Sequence, residues 1–308
     1  LHQSANPHNP SWLVVAPSGR HLYAVNEHED FQGRRSGSVS SYAIAEGGAL
    51  RLLSTVPSGG AGPVHLSLHP GGRHAFVAHY GSGHVALLPV LEDGVLGAPA
   101  QVLPPPAGRA PHAHMALPDP SGRFLLATDL GLDLITVWRF DAQRGRLAEA
   151  HTQVLPAGSG PRHLAFHPRL PRQLYLLNEQ ASSLAWFDFD PTSGRLAERA
   201  RLSSLPVGFA GTSYASDLRF SRDGRHLYAL NRLHDSITIF AIGADGRPRW
   251  QGQEWTRGSY PRSCALDPAG EHLYVCNQRS DHITVFRIGA DGTLSFSGDY
   301  LAAGSPSV

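Results

Sequence analysis

The sequence contains no lysine: all 26 basic residues among its 308 are arginine. Schiff-base chemistry and a lysine general base are thereby excluded. Its two cysteines, Cys264 and Cys276, are too few for a disulfide framework and read as small buried core residues. No apolar run approaches the roughly 20 residues of a membrane span, and the first residues lack a basic, then apolar, then small export pattern. The expectation is a cytoplasmic protein with no membrane partner. Charge of one sign is also missing, since 25 acidic residues offset the basic ones to a formal +1 and the arginines are scattered. That leaves no electrostatic footprint for nucleic acid. The absence of a Gly-x-Ser-x-Gly elbow argues against serine hydrolase chemistry. What is present, 41% hydrophobic and 17% charged residues, suits a soluble globular chain with a sizeable core.

Internal repetition organises the whole length. Six units each open on a short apolar strand, at Trp12–Ala16, His65–Leu68, Met115–Leu117, His163–Phe166, Asp217–Phe220 and Ser263–Leu266. Tight turns follow, such as Pro17-Ser18-Gly19-Arg20 and Arg222-Asp223-Gly224-Arg225, where glycine supplies the positive φ. A second strand comes next, as in Leu22-Tyr23-Ala24-Val25-Asn26. A third alternates β-branched and aromatic residues, as in Ile237-Thr238-Ile239-Phe240, and a weaker fourth follows a Gly-containing turn. Four antiparallel strands at a period of roughly 50 residues predict propeller blades, in which radial repetition leaves only short, protected sheet edges. The fold class is therefore all-β, a β-propeller of four-stranded antiparallel blades forming one domain over residues 1–308. The first nine residues read as the last strand of a further blade, which is expected to be incomplete.

Two columns of the repeat differ from blade to blade. At the start of the first strand stand Ser11, Val64, His114, Arg162, Ser216 and Arg262; just past the second stand Glu27, Tyr80, Leu130, Glu179, Arg232 and Gln278. Both are expected to face one end of a central channel. A purely structural role would favour one residue type per column, as Asn26, Asn178, Asn231 and Asn277 show in the position before, where the side chains are expected to bond local backbone. Divergence inside a symmetric scaffold points to function. Histidines that merely recur with the repeat, His21, His226 and His272 at second-strand starts and His69 and His167 before proline, read as structural. His114 stands apart because it occupies the variable column. His112 and His114, one residue apart, would share a strand face and could in principle ligate a metal, but no further ligands appear at characteristic spacing.

The repeated motifs resemble the seven-bladed lactonase family, which includes bacterial 6-phosphogluconolactonase and the fungal carboxymuconate-lactonising enzyme. The resemblance is carried by Asn9-Pro10-Ser11-Trp12 with Asn26-Glu27, His112-Ala113-His114-Met115 with Asp129-Leu130-Gly131, and Gly160-Pro161-Arg162-His163 with Asn178-Glu179. Ser216-Asp217-Leu218 with Asn231-Arg232, and Tyr260-Pro261-Arg262, complete the set. It covers nearly the whole chain. It implies hydrolysis of an anionic sugar lactone, foremost 6-phosphogluconolactone, with cycloisomerisation of a carboxymuconate or a non-catalytic binding propeller as rival readings. It implies no cofactor and no metal. Calcium-dependent propeller lactonases of other families need converging carboxylates, here Asp129, Glu179 and Glu27. The family's His, Arg, Glu and Arg constellation falls on His114, Arg162, Glu179 and Arg232. In that arrangement His114 is the acid/base, Glu179 orients it or the water, and Arg162 with Arg232 clamp the oxyanion and the substrate anion, because a guanidinium fork binds two oxygens at once. A glutamate beside two arginines is expected to have a lowered pKa and so to be a poor proton acceptor. Arg262, His112, Glu27 and Gln278 are expected to contact substrate.

Overall fold

A computed structural model describes residues 9–107 and 110–308, so the strand expected over the first nine residues lies, but for Asn9, outside the described residues. Among the described residues there are 24 strands and no helix, arranged as six four-stranded antiparallel meanders, one per sequence repeat. The chain divides into two compact units, one reaching Leu155 with Pro191–Gly194 added, the other formed by Pro156–Asp190 and Arg195–Val308.

The first unit holds three sheets. They are β1 to β4 (Pro10–Val15, His21–Asn26, Ser38–Ile44, Leu50–Pro57), β5 to β8 (Pro63–Leu68, His74–His79, Val85–Pro89, Gln101–Leu103) and β9 to β12 (Ala113–Pro118, Phe124–Asp129, Leu134–Asp141, Arg146–Val154). The second holds β13 to β16 (Pro161–Phe166, Gln173–Asn178, Ser183–Phe189, Leu196–Ser203), β17 to β20 (Tyr214–Phe220, His226–Arg232, Ser236–Ile242, Pro248–Trp255) and β21 to β24 (Pro261–Leu266, His272–Asn277, His282–Ile288, Leu294–Ala302). The second strands are the most continuously apolar because they are buried on both faces, as the unbroken burial of β10 shows. Facing sheets share a core. In the second unit Tyr228, Leu230 and Ile239 of one sheet pack on Leu273, Val275 and Phe286 of the next.

One contact recurs at the hairpin end of the sheets. A tyrosine on the second strand donates its hydroxyl to the carbonyl of a glycine in the neighbouring sheet: Tyr23 to Gly94 at 2.7 Å, Tyr228 to Gly292 at 3.1 Å, and Tyr175 to Gly246. Gly94 and Gly292 have positive φ, and a Cβ on either would come within 2.3 Å of the ring of His21 or His226. Glycine is therefore required twice over at these turns, by conformation and by close approach. The repeat histidines are what those turns pack against.

The asparagine column is fully buried, and its amides bond third-strand hydroxyls across the sheet: Asn26 to Ser38 and Ser40, Asn231 to Ser236 and Thr238, Asn277 to Thr284. This corrects the expectation of local backbone partners. Backbone carbonyls are reached as well, that of Val275 by Asn277 and the distant one of Ser204 by Asn231. Two sheets replace the asparagine, with His79 bonding Ser58 and with Asp129 accepting three backbone N–H groups.

Candidate functional site

The first strands begin up to three residues earlier than the apolar runs suggest, and the reason is a β-bulge at the start of each. In the first sheet Pro10 pairs with Asn26 and Trp12 with Val25, so Ser11 is left unpaired. The same skip isolates Val64, His114, Arg162 and Arg262, and in the fifth sheet Ser216 together with Asp217. A bulge breaks the two-residue alternation and re-aims one side chain. The variable column is thus the bulge column. It also undoes the strand face that His112 and His114 were expected to share, since His112 precedes β9 and His114 is its bulged residue.

In the second unit the bulged Arg162 is buried, and its Nε lies 3.0 Å from Glu179 Oε2. Arg232, at the end of β18, places Nη2 2.7 Å from that same oxygen. Glu179 Oε1 takes no hydrogen bond from any described residue, and Glu179 is the only one of the three with appreciable exposure, 18% of its side chain. Arg162 also donates to the Ser216 carbonyl, and Arg232 to the carbonyls of Tyr214 and Ala215 at 3.2 and 3.3 Å. The rings of Tyr260 and Tyr214 flank the Arg232 guanidinium at 5.1 and 5.9 Å, a cation–π arrangement that fixes its plane. Burial, then the nearby Arg232, push the Arg162 guanidinium down to about 9 against the pull of Glu179, and Arg262 pushes the same way.

Beneath Arg162 lies a pair that sequence reasoning missed. His163 Nδ1 is 2.8 Å from Asp217 Oδ1, and its Nε2 is 3.3 Å from Arg162 Nη1. The carboxylate can only accept and the guanidinium can only donate, so the ring is neutral with its proton on Nδ1. Burial and the Arg162 charge hold His163 down at about 4, although Asp217 pulls the other way. Burial alone would raise the Asp217 carboxyl; Arg219, the His163 ring and the Cys264 N–H outweigh it and keep it below the usual carboxylate range. In the sequence the two residues stand only as members of the motifs Gly160-Pro161-Arg162-His163 and Ser216-Asp217-Leu218, and the doubled bulge that brings Asp217 to His163 is visible only from the strand pairing.

The first unit carries His114, His112 and Glu27. His114 is buried and meets the edge of Tyr80 at 5.9 Å. The half-buried ring of His112 stacks flat on Tyr80, at 4.2 Å and 11°, and its Nδ1 lies 2.8 Å from the Tyr80 carbonyl oxygen. Glu27 is half-buried, its backbone held by Asn9 at 2.9 Å. In the second unit Arg262 and Gln278 are both half-buried, with Gln278 N–H on the Tyr260 carbonyl. Of the three carboxylates named for calcium, Asp129 Oδ1 is taken by backbone N–H groups and Glu179 Oε2 by two guanidiniums. Among the described residues one other set, Asp267, Glu271 and His272, brings ligand atoms within 4.8 Å, and its members bond one another in a hairpin turn. A cavity of about 600 Å³ lies at the hairpin ends, lined by Arg20, His21, Tyr23 and Asp93, and smaller ones line the corresponding seams of the second unit.

Comparison with known proteins gives consistent matches. A family model described as lactonase, 7-bladed β-propeller, matches residues 1–308. The chain is 31% identical over 268 residues to a 6-phosphogluconolactonase of Bacillus subtilis, covering 84% of this chain and 74% of that protein. It is 36% identical over 237 residues to a 6-phosphogluconolactonase of Pectobacterium carotovorum, covering 76% and 67%. Among solved structures it is similar to the periplasmic gluconolactonase PpgL of Pseudomonas aeruginosa, with a TM-score of 0.92, 34% identity, and coverage of 99% and 89%.

Proposed function

Because the chain belongs to the lactonase, seven-bladed β-propeller family and is a lactone hydrolase acting on sugar lactones, we propose that its substrate is the phosphorylated form, 6-phosphogluconolactone, converted to 6-phosphogluconate. The supporting observation is the Arg162–Glu179–Arg232 cluster, in which two buried guanidiniums share one carboxylate oxygen and a third arginine, Arg262, adds its charge. Crowded guanidiniums are relieved by a ligand anion, and an uncharged lactone offers none. The relatives' names divide on this point, two carrying the phosphate and one not.

Hydrolysis requires a water made nucleophilic, stabilisation of the tetrahedral oxyanion and a proton for the departing ring oxygen. In this reading Arg162 and Arg232 hold negative charge on the substrate and the oxyanion, and the open oxygen of Glu179 positions the water. The proton is assigned to an imidazole at the start of β9, His114, which is the member of the variable column in that sheet. Arg262, Glu27 and Gln278 are assigned to substrate contact. Two buried free thiols, Cys264 and Cys276, support a reducing, cytoplasmic setting. No helix among the described residues is long and apolar enough to cross a membrane.

The test is kinetic. Purified protein should hydrolyse 6-phosphogluconolactone with a kcat/KM well above that for gluconolactone, and a carboxymuconate should not turn over. Equal efficiency on both lactones would remove the phosphate from the reading.

A further inference from the structure

Within the lactonase reading, on which it rests, we propose that His163 and Asp217 are a positioning pair, which holds the Arg162 guanidinium in the orientation that meets the substrate anion. Both side chains are only 2% exposed, so they act through Arg162 rather than on substrate. The path runs outward from the carboxylate. Asp217 Oδ1 accepts from His163 Nδ1 at 2.8 Å, and Nε2 across the same ring accepts from Arg162 Nη1 at 3.3 Å. That Nη1 also donates to the Ser216 carbonyl, while Nε lies 3.0 Å from Glu179 Oε2. A guanidinium is a rigid plane, so contacts at two of its nitrogens fix how it is turned.

The base of this chain is itself anchored. Leu218 N–H donates to Asp217 Oδ1 at 2.9 Å and Cys264 N–H to Oδ2 at 3.0 Å, so the carboxylate cannot turn away. Burying a carboxylate and an imidazole costs desolvation that an apolar pair avoids, and the first unit shows the apolar solution at the same strand position. There His65 follows the bulged Val64, as His163 follows the bulged Arg162, and its ring packs on that of Trp12 in the adjoining sheet at 4.7 Å. Where the bulged residue is valine, the histidine meets an indole. Where it is arginine, the histidine meets a carboxylate.

The ring between the two charges has a purpose of its own. Burial and the Arg162 charge keep His163 at about 4, so at neutral pH Nε2 stays an uncharged acceptor. Such an acceptor orients the guanidinium without cancelling its charge, which a second carboxylate in contact would do. Against burial and the nearby Arg232 and Arg262, Asp217 one ring away still favours the charged form of Arg162, as Glu179 does. A donor held in place before the substrate arrives needs no reorganisation when negative charge develops.

Two substitutions separate the two ends of the ring. In His163→Asn the amide stands where Nδ1–H stood, keeping Asp217 but removing the acceptor for Arg162; in His163→Gln the side-chain oxygen reaches the place of Nε2 and keeps that acceptor. With 6-phosphogluconolactone, corrected for spontaneous hydrolysis, His163→Asn should lose about 10- to 100-fold in kcat/KM per folded molecule, as expected for a misplaced binding group. His163→Gln should recover most of that loss. Added to Arg162→Met, His163→Asn should cost nothing further, because a residue that acts through another has no effect once the other is gone. Wild-type kcat/KM with only a lowered melting temperature in His163→Asn overturns the proposal, as does an equal loss in the Arg162→Met background. A crystal structure of the wild type with 6-phosphogluconate needs no variant: Arg162 should hold a product oxygen with Nη1 still on His163, and an Arg162 swung away from His163 overturns the proposal equally. A wild type inactive on both the phosphorylated and the plain lactone contradicts the lactonase reading itself, an outcome distinct from these.

Discussion

The two ends of the same sheets are built on opposite rules. At the hairpin end a tyrosine hydroxyl is held by a glycine carbonyl in three of the six sheets, at Gly94, Gly246 and Gly292. At the bulge end every first strand carries a skipped residue, yet the residue is serine, valine, histidine or arginine according to the sheet. The same backbone device therefore repeats while its side chain does not. Repetition at one end maintains packing, and variation at the other supplies chemistry.

That contrast can be broken from either side. At the bulge end Arg162→Met and Arg232→Met should each weaken productive binding of the phosphorylated lactone by about 2 to 5 kcal/mol, the range for truncating one member of a buried charge pair. Steady-state kinetics with unchanged near-ultraviolet circular dichroism would check it. At the hairpin end Gly292→Ala puts a Cβ 2.3 Å from the His226 ring at a positive φ, and should cost roughly 1 to 3 kcal/mol of stability. Its activity per folded molecule should be intact; chemical denaturation read beside turnover separates the two. Tyr228→Phe removes only the hydroxyl bond and should cost about 0.5 to 1.5 kcal/mol by the same measurement.

A pH dependence sharpens the comparison further. His79 and His163 are buried and held at about 4, below the 6.5 of the unfolded chain. The unfolded state therefore binds more protons between those values, so their contribution is complete above about pH 6.5 and is lost as pH falls toward 4. The melting temperature should drop over that window, and His79→Asn should flatten the drop.

Much of this was legible from residue order. Apolar alternation and Gly-containing turns gave the six sheets, because strand period and turn chemistry are local. The bulges were not, because an unpaired residue is defined by its partner strand: Pro161 and His163 look continuous until Asn178 and Leu177 are set opposite them. For the same reason the apolar runs began too late at Trp12 and His65. The variable columns drew attention to Arg162, Glu179 and Arg232 by their departure from the repeat, and the structure brings those three together in one unit. His163 and Asp217 gave no such signal. Their roles depend on a 2.8 Å contact between residues 54 apart in sequence. The hydrogen bond of the His112 ring was equally invisible, since its partner is the backbone carbonyl of Tyr80 rather than a side chain.

The claim that the bulge end is where an anionic lactone is handled is tested most directly by one ratio. It is kcat/KM for 6-phosphogluconolactone over that for gluconolactone, measured in the wild type and in Arg232→Met. The account predicts a large ratio in the wild type that falls toward one in the variant, because the substitution removes oxyanion stabilisation from both lactones but the anion clamp from the phosphorylated one alone. A ratio unchanged by the substitution would contradict it.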